Sequence, residues 1–496
     1  MARLQAYYET PLDRILQRSR LVDPGQAAIE LFHDVAVTVP AYGAFLAEHG
    51  VDPAAVRTPA DFARLPLTTK ENYVLRHPLP ALCRHGRLED CDMIAVSSGS
   101  TGTPTSWPRA VVDELAIATR FEQVFLDSFA ADERRTLAVV CFALGTWVGG
   151  LYTTDCCRHL AAKGHPVTVV APGSNKAEIY RVLKALAGTF DQTVLLGYPP
   201  FLKDVIDGGP AAGIDWAALR TRLVLAGEVF SEDWRSLVGA RIGADDVRYA
   251  FASLYGTADA GVLAVETPLS IEIRRFLAAR PEAARQIFGE PRLPTLAQYD
   301  PLARYFETVD GTLLFTGDNG APLVRYHIAD SGGLLDYHAM LQALADFGFD
   351  PLAGLADEGW RGVRELPFVW VFGRSGFAVS YFGANVYPEN VAPALERPGI
   401  AEWLTGKFVL EAREGLEAAP HLAVAVELAP GLTGEEPETP ARAEALADAI
   451  LAELLRVNSE FGAYTPPEFR RPRVTLLPAG HPDYFPPGVK HRYSRR

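Results

Sequence analysis

The stretch AVSSGSTGTPTSWPR, residues 95–109, gathers hydroxyl side chains and glycines in one short loop. Its glycines allow a bound group to approach the backbone closely and allow positive φ angles. Backbone N–H and hydroxyl groups at such a loop, between an apolar strand and a helix, suit a bound polyphosphate. The loop lacks the lysine of the G-x-x-x-x-G-K-[ST] motif, and a flexible linker has the same composition. Taken alone, it leaves a phosphate cradle and a linker equally open.

Three later stretches place aromatic, basic and acidic side chains at intervals along the chain. SLYGTADAG contains Tyr255 and Asp259, PLVRYHIADSG contains Tyr326 and Asp330, and VFGRSGF contains Arg374. Singly, each could be a capped turn or carry an ordinary surface carboxylate. Their order and spacing, together with the hydroxyl-rich loop, make a pattern that is specific as a set.

As a set, these motifs resemble those of the adenylate-forming superfamily of acyl-CoA synthetases, peptide-synthetase adenylation domains and luciferases. Within it the chain is most similar to the phenylacetate-CoA-ligase branch. The resemblance extends from about Leu65 to Lys490. It implies a ligase that binds ATP and Mg²⁺ and activates a carboxylic acid as its acyl-adenylate, with release of pyrophosphate.

The resemblance also implies a role for each motif. The hydroxyl-rich loop would hold the β- and γ-phosphates, Tyr255 would stack on adenine, and the carboxylate of Asp330 would bind the ribose. Lys490, in PPGVKHRY, would contact the substrate carboxylate and the α-phosphate. The implied residues are Ser97, Ser98, Gly99, Ser100, Thr101, Gly102 and Thr103 for the phosphates; Gly227, Glu228, Tyr255, Gly256, Asp330 and Arg374 for adenine and ribose; Asp259 and Thr101 for Mg²⁺; and Lys490 for catalysis.

These roles suit the chemistry of a carboxylate, which is a poor acyl donor because its leaving group would be oxide. Attack on the α-phosphorus of ATP gives an acyl-adenylate whose leaving group is AMP. The protein has to align two anions and offset their charge with Mg²⁺, Lys490 and backbone donors. Mg²⁺ prefers hard oxygen ligands, which Asp259 and Thr101 would supply.

Several departures from the phenylacetate-CoA-ligase pattern fall where the second half-reaction is organised. They are Gly376 in place of an acidic residue, a longer segment between Asp330 and Gly373, Asp259 in the usual Glu position, and Val489 before Lys490. The stretch FAVSYFGANVYPENV and the longer segment look more like the coronafacate-ligase type, which transfers the acyl group to an amino acid amine. Amide formation is therefore favoured over a CoA thioester. A catalytically silent nucleotide- or acid-binding relative is the third hypothesis, and the presence of Lys490 counts against it.

By the same resemblance, the acid pocket lies beside the adenine segment AGEVF. Phe142, Trp147, Tyr198 and Phe251 would line it, and nearby glycines would leave room. An aromatic lining suits a cyclic or aromatic carboxylic acid. An ordinary core position is the alternative for each of these side chains.

The elements that must position these residues follow from hydrophobic periodicity. Short apolar runs alternate with helical stretches; they are MIAVSS, TLAVVCF, PVTVVAP, TVLLGYP and TRLVLAGE. Alternation of this kind predicts an α/β fold with mixed, mainly parallel sheets and packed helices. The helix in KAEIYRVLKALAG would end with Gly188 as its C-cap.

The C-terminal part predicts a compact α+β unit. KFVLEA, LAVAVEL and RVTLLP are expected strands, and PARAEALADAILAELLRVNSEF is an expected amphipathic helix. The glycines of residues 373–376 suit a hinge. We therefore expect a large ATP- and acid-binding domain over 1–373 and a small mobile lid domain over 374–496.

Composition limits the class of partner. The chain has 496 residues and a net charge of −14, with no block of Lys or Arg before its tail, which argues against nucleic acid and anionic membranes. Its five cysteines form no C-x-x-C pair, which indicates reduced thiols and argues against zinc. The uncharged run 136–154 is interpreted as a buried strand and loop, and the charged N-terminus lacks a signal core. We expect a cytoplasmic enzyme whose partners are small molecules, a carboxylic acid and an amine or CoA.

Overall fold

The structure is a computed structural model that describes residues 2–96, 105–146, 148–227, 229–290, 293–358, 361–374, 379–382, 384–413, 421–458, 461–462, 465–486, 491 and 493–495. Its helices and strands are α1 (Ala2–Glu9), α2 (Leu12–Gln17), α3 (Pro24–Thr38), α4 (Pro40–Glu48), α5 (Pro59–Phe62), β1 (Met93–Val96), β2 (Ser106–Arg109), α6 (Val111–Asp127), β3 (Thr136–Val140), α7 (Val148–Ala162), β4 (Val167–Val170), α8 (Lys176–Leu186), β5 (Gln192–Gly197), α9 (Pro199–Gly208), β6 (Thr221–Ala226), α10 (Glu232–Arg241), β7 (Phe251–Thr257), β8 (Gly261–Val265), α11 (Pro268–Ala278), α12 (Pro281–Phe288), β9 (Thr295–Gln298), β10 (Tyr305–Val309), β11 (Thr312–Gly317), β12 (Leu323–Leu335), α13 (Tyr337–Ala345), β13 (Phe368–Arg374), β14 (Val379–Tyr381), β15 (Ala384–Val386), α14 (Ala392–Leu395), β16 (Leu404–Arg413), β17 (His421–Leu428), α15 (Thr439–Val457), β18 (Arg473–Leu477) and β19 (Ser494–Arg495).

The N-terminal helices pack against the antiparallel end of the main sheet. Helix α3 begins with Pro24 at its first position, after the N-cap Asp23, which accepts a hydrogen bond from the Gly25 amide at 2.7 Å. Its apolar face shares a core with α4 and with β10–β12. The Thr68 backbone bridges to β12 at Tyr326. The N-terminal region therefore supports β12, the strand that carries Arg325, Tyr326 and Asp330.

The hydroxyl-rich loop joins two strands. β1 and β2 form a separate two-stranded antiparallel sheet in which Val96 pairs with Ser106. Helix α6 begins only at Val111, so the expectation of a helix directly after the loop was wrong. The reason is local: Trp107 and Arg109 are buried from an extended backbone, and Pro108 disfavours helix in the residue before it.

The central sheet has eleven strands in the order β10-β11-β12-β13-β9-β8-β7-β6-β5-β3-β4. Strands β4, β3, β5, β6 and β7 run parallel, and each later pairing is antiparallel. Four of the five apolar runs singled out in the sequence are strands of the parallel part. Alternate residues face two different cores: Ala138 and Val140 lie in one, Leu137 and Val139 in the other.

The sheet changes from parallel to antiparallel at β7, the strand that carries Tyr255. Its hairpin partner β8 leads to β9, and β13 then pairs with both β9 and β12. In this order the β7–β8 turn and the long strand β12 belong to the same half of the sheet.

The C-terminal part has its own sheet, in the order β18-β17-β16-β19, with α15 packed on it. The apolar cluster that includes Val424, Ile450 and Leu476 contains residues only from Val379 onwards. The three expected strands and the expected long helix are present as β16, β17, β18 and α15. The α/β fold with a smaller C-terminal sheet domain is therefore confirmed.

Two local expectations have different outcomes. Helix α8 ends at Leu186 with Ala187 as a right-handed C-cap, because Ala187–Thr189 continue as a 3-10 turn; the expected cap at Gly188 was wrong. Residues 136–154 contain the expected buried strand, β3, but their last part begins helix α7, which was not expected there. Among the described residues, the structure has no helix with the length and apolar character needed to cross a membrane.

Candidate active site

The β7–β8 hairpin presents Tyr255 near the end of β7 and Asp259 in its turn. Gly256 pairs with Val262, and a Cβ atom at position 256 would lie 2.7 Å from the Gly261 carbonyl oxygen. Gly261 has a φ of +72°, in the left-handed region that favours glycine. The two glycines therefore allow the hairpin to close tightly around the turn that carries Asp259.

The residues expected at adenine and at the ribose are hydrogen-bonded to each other. The Tyr255 hydroxyl donates to Oδ2 of Asp330 at 2.8 Å, and both side chains are buried. The Tyr255 ring lies nearly parallel to Phe306, at a centroid distance of 6.5 Å. Asp330 in β12 pairs across the strands with Arg374 in β13. The structure thus brings Tyr255, Asp330 and the backbone of Arg374 together; the Arg374 side chain lies outside the described part.

The carboxylate expected at Mg²⁺ also has a partner on β12. The Tyr326 hydroxyl donates to Oδ2 of Asp259 at 2.7 Å. The Tyr326 ring packs edge-on against Phe315 and is buried. No role was assigned to Tyr326 from the sequence, although its place between Arg325 and Asp330 in the PLVRYHIADSG motif was an available signal. Strand β12 therefore supplies one of the two carboxylates, Asp330, and the hydroxyl partner of the other, Asp259.

The arginine of that motif is bound to the scaffold. Arg325 forms an ion pair with Glu307 at 3.0 Å and donates to the Leu65 carbonyl. Burial raises the pKa of Glu307, and the Arg325 guanidinium opposes this shift. Arg325 and Ala329 have φ angles of +46° and +66°, which non-glycine residues adopt infrequently. Such backbone is concentrated at functional sites, and here it flanks Tyr326.

The Asp259 site fits a hard cation that keeps water and phosphate ligands. Its carboxylate accepts from a neutral hydroxyl, so its negative charge is not cancelled by that partner. Within the described ranges, no group of three or more His, Cys, Asp and Glu side chains could form a protein cage for a metal. Mg²⁺ is held by one or two carboxylates together with substrate phosphates in many such sites. Asp259 fits that pattern, whereas Thr101 lies outside the described residues.

The expected phosphate loop, Ser97 to Thr103, lies outside the described residues, but both of its flanks are described. Val96 donates its amide to the Thr146 carbonyl at 2.8 Å. This contact fixes the end of β1 beside the segment that precedes α7. On the other flank, the buried side chain of Arg109 reaches the β7–β8 turn. The described residues on the two sides of the loop therefore contact the segment before α7, through Val96, and the β7–β8 turn, through Arg109.

The adenine segment follows β6. Gly227 has a φ of +94°, and a Cβ there would lie 3.5 Å from the Tyr198 ring, so these two expected site residues lie together. Glu228 lies outside the described residues. Arg274 donates to the Phe230 carbonyl and, at 2.7 Å, to Glu232. These hydrogen bonds from Arg274 fix the end of the adenine segment.

Four buried charged residues form the support beneath this segment. Arg235 pairs with Glu232 at 2.9 Å and with Glu266 at 2.6 Å, and Arg274 completes the group. Burial opposes ionisation of Glu232, but Arg235 and Arg274 outweigh burial and lower its pKa. Two arginines and two glutamates balance in charge, so the group is stable as a buried ionic network.

The expected acid-pocket residues do not all lie together. Phe142 is half-buried and packs on the core that includes Val140 and Leu196. Phe251 is 0 % exposed, in the core on the other face of the sheet, with its ring 6.4 Å from Trp234. Strand alternation thus separates Phe251 from Phe142. Trp147 lies outside the described residues. With Phe251 in the opposite core, Phe142 and Tyr198 are the described residues that remain candidates for the lining.

The tail that carries Lys490 packs on the C-terminal sheet at its described positions. The His491 ring contacts the Phe408 carbonyl oxygen at 2.7 Å and lies 4.4 Å from the Tyr493 ring. On the other side, Phe485 is buried against Val409. Lys490 itself lies outside the described residues.

Polar contacts join the C-terminal part to α9 and to the start of α10. The buried Lys203 ammonium donates to the Leu404 carbonyl at 3.0 Å and pairs with Asp207 at 2.9 Å. The Ser231 hydroxyl, directly after the adenine segment, donates to the carboxyl group of Glu396. Burial raises the pKa of Glu396 to about 8.

Comparison with known proteins gives a likeness in structure. No protein-family model matches the chain, and no curated protein sequence matches it significantly. A 2-hydroxyisobutyryl-CoA ligase in the postadenylation state with 2-HIB-AMP superposes with a TM-score of 0.65 at 14% identity, covering 95% of this chain and 88% of that one. The same ligase in the thioesterification state with 2-HIB-AMP and CoA gives 0.52 at 15% identity, covering 97% and 89%.

A second kind of ligase is also similar. The acyl acid amido synthetase AtGH3.15, in complex with 2,4-DB, superposes with a TM-score of 0.58 at 12% identity, covering 95% of this chain and 88% of the other. Both similar proteins are matched over nearly their whole length. The chain therefore has the fold of the adenylate-forming ligases, as its motifs predict.

Proposed function

We propose that the chain is an AMP-forming ligase that activates a carboxylic acid with ATP and transfers the acyl group to an amino acid amine. The observation that carries this proposal is the pair of hydrogen bonds Tyr255–Asp330 and Tyr326–Asp259. They join residues from two motifs, separated by more than sixty residues, at the turn end of the β7–β8 hairpin. The fold of acyl-activating ligases supports the same conclusion.

In the first half-reaction a carboxylate oxygen of the acid bonds to the α-phosphorus of ATP, and pyrophosphate leaves. Residues 97–103 would hold the β- and γ-phosphates, and Asp330 with Arg374 would bind the ribose hydroxyls. Tyr255, Gly256, Gly227 and Glu228 would border adenine. Mg²⁺, held by Asp259 and Thr101, would offset phosphate charge. Lys490 would lie between the two anions and stabilise the charge that develops between them.

In the second half-reaction the amine nitrogen attacks the acyl carbon of the adenylate, AMP leaves, and the nitrogen loses a proton. The sequence departures around Gly376 and between Asp330 and Gly373 support an amine acceptor. The alternative is a CoA thioester, in which the CoA sulfur attacks the same carbon. The likeness to a CoA ligase supports this alternative at the level of the fold.

We further propose that the chain divides at residues 373 and 374 into a large domain and a small one that re-docks between half-reactions. Among the described residues, no apolar core cluster contains members from both sides of this boundary. The side-chain contacts of Lys203 and Ser231 across it are polar, and Arg374, next to the boundary, pairs with Asp330 through the backbone. Polar interfaces between domains permit relative motion more readily than apolar ones.

Acid-dependent exchange of labelled pyrophosphate into ATP tests the first half-reaction. We expect exchange with a member of a panel of cyclic and aromatic carboxylic acids, because Phe142 and Tyr198 border the expected pocket. Product analysis by mass spectrometry, with amino acids and with CoA in parallel, tests the second. A thioester with no amide would overturn the amine acceptor, and no exchange with any acid would favour a silent nucleotide- or acid-binding protein.

A further inference from the structure

Two arginines from distant parts of the chain donate hydrogen bonds to the backbone of the turn that carries Asp259. Nη2 of Arg109 donates to the carbonyl oxygens of Ala258, at 2.5 Å, and of Asp259, at 3.1 Å. Nη2 of Arg304 donates to the carbonyl oxygen of Ala260 at 2.9 Å. Three successive peptide carbonyls thus accept hydrogen bonds from two guanidinium groups.

Both arginines are buried: Arg109 is 1% exposed and Arg304 is 3% exposed. In the described part of the chain, neither forms an ion pair; the further contacts of Arg304 are to the Ala303 carbonyl and the Asn319 side chain. Burial lowers the pKa of Arg304 and the charge of Arg109 adds to this shift, while the Asp113 and Asp318 carboxylates oppose it. A buried guanidinium outside an ion pair is costly, so its hydrogen bonds to the turn are part of the compensation.

The surrounding backbone is shaped to admit these side chains. A Cβ at position 317 would lie 3.0 Å from Cδ of Arg304, so the glycine there leaves room for the arginine stem. Within the turn, the Ala260 amide donates to Oγ1 of Thr257 at 3.1 Å. The backbone of the turn is therefore fixed by Arg109, Arg304 and Thr257.

The side chain of Asp259 is fixed separately, because its Oδ2 atom accepts from the Tyr326 hydroxyl. Arg109 is also the last residue of β2, the strand that returns from the phosphate loop. The Arg109 guanidinium thus links the β1–β2 sheet to the turn that carries the carboxylate.

We infer that Arg109 and Arg304 are positioning residues that fix the backbone of the turn carrying the Asp259 carboxylate, and that they favour a metal–triphosphate complex there. This inference rests on the proposed function, since it assumes that ATP and Mg²⁺ bind at Asp259. The two arginines act through the turn. Their positive charge, which no ion pair neutralises among the described residues, adds a field that favours an anion beside the turn.

Calorimetric titration of ATP at a series of Mg²⁺ concentrations tests this inference without knowledge of the acid. In Arg109→Met and Arg304→Met we expect the Mg²⁺ concentration for half-maximal ATP affinity to rise by about 10- to 100-fold, as for residues that orient metal ligands. Arg109→Lys should recover part of the affinity, because an ammonium can still reach one carbonyl. Arg120→Met is the matched control, since Arg120 is similarly buried but pairs with Asp300 and, in the described part of the chain, donates to none of the three carbonyls of the turn.

Hydrogen exchange of the 256–262 amides provides a readout that is independent of nucleotide. We expect faster exchange there in both methionine variants and unchanged exchange in Arg120→Met. Wild-type Mg²⁺ dependence together with wild-type exchange in folded Arg109→Met and Arg304→Met would overturn the inference. A wild-type protein that binds ATP with Mg²⁺ but shows no acid-dependent pyrophosphate exchange would overturn the proposed function alone.

Discussion

Two groups of buried arginines support opposite sides of the candidate site, and they are neutralised differently. Beneath the adenine segment, Arg235 and Arg274 pair with Glu232 and Glu266. Beneath the β7–β8 turn, Arg109 and Arg304 donate to peptide carbonyls; no ion pair to either is present in the described ranges. The charges of the two arginines and two glutamates in the first group sum to zero. The second retains positive charge beside the place where a triphosphate is expected.

The difference separates a structural role from a role in ligand binding. Breaking a balanced buried network leaves an uncompensated charge, so its loss lowers the stability of the fold. Removing an arginine from the second group removes unpaired charge along with its hydrogen bonds. Its loss should affect the fold less and the bound metal–nucleotide complex more.

The largest effect is expected from the balanced network. Arg235→Met should lower the free energy of unfolding by about 3–5 kcal/mol, because two buried carboxylates are left with Arg274 as their one arginine partner in the network. Denaturant unfolding measures this loss. A variant in which all four residues of the network, Arg235, Arg274, Glu232 and Glu266, are replaced by apolar residues is the control and should recover much of the stability. A loss no greater than that of Arg109→Met would remove the distinction between the two groups.

The next largest effect concerns the tail lysine. Lys490→Ala should lower the rate of acid-dependent pyrophosphate exchange by about 100- to 1,000-fold, as removal of a donor to developing negative charge does. The unfolding transition should not change, because a residue near the end of the tail contributes little to a core. Lys407→Ala is the control, since Lys407 lies in the same domain and pairs with Glu427. Equal rates in the Lys490→Ala and Lys407→Ala variants would contradict the role given to Lys490.

A smaller effect is expected at the ribose carboxylate. Asp330→Asn keeps an acceptor for the Tyr255 hydroxyl but removes the charge that would bind the ribose hydroxyls. The KM for ATP should rise about tenfold or more, given the 1.5–3 kcal/mol of a hydrogen bond to a charged group, with a smaller change in kcat. Asp336→Asn, at the N-cap of α13, should leave the KM unchanged. A rise in both variants would indicate a change in stability and not in binding.

The smallest effect concerns the contact between the two parts of the chain. Burial raises the pKa of Glu396 to about 8, with the Asp233 carboxylate adding to the shift and Arg274 opposing it. A raised carboxyl pKa stabilises the docked state fully at acidic pH, and the contribution falls as pH rises from the ordinary value of the group through about 8. Docking should weaken by less than about tenfold per pH unit over that window.

Hydrogen exchange of residues 392–404 at pH 6 and pH 9, corrected for the intrinsic pH dependence of exchange, measures this docking. Protection should be lower at pH 9 in the wild type. Glu396→Gln, which cannot titrate, should show little difference between the two pH values. The same pH dependence in the variant would assign the effect to another group.

The sequence was sufficient for the fold and for the residues that meet around the hairpin. Tyr255, Asp259 and Asp330 are recognisable from motifs, and the strands before them are short apolar runs. It was insufficient where the outcome depends on tertiary pairing. Residues 105–109 become a strand because they pair with β1, and Phe251 faces the opposite core because of its parity in β7.

A second reason explains why the roles of Arg304 and Glu396 were not predicted from the sequence. Arg304 follows an ordinary turn, and nothing in its local pattern distinguishes it from a surface arginine. Its function depends on the carbonyl of Ala260, more than forty residues earlier in the chain. Glu396 likewise acquires its raised pKa only from burial against α10. Contacts between residues so far apart in the sequence leave no periodic pattern from which they could be predicted.

Acid-dependent exchange of pyrophosphate into ATP, measured on the wild type and on Asp259→Asn side by side, tests directly whether Asp259 takes part in acid activation. We expect exchange that requires both a carboxylic acid and Mg²⁺ in the wild type, and a large loss of exchange in folded Asp259→Asn. Exchange of equal rate in the two proteins would contradict the claim that the turn held by Arg109 and Arg304 belongs to the site of acid activation.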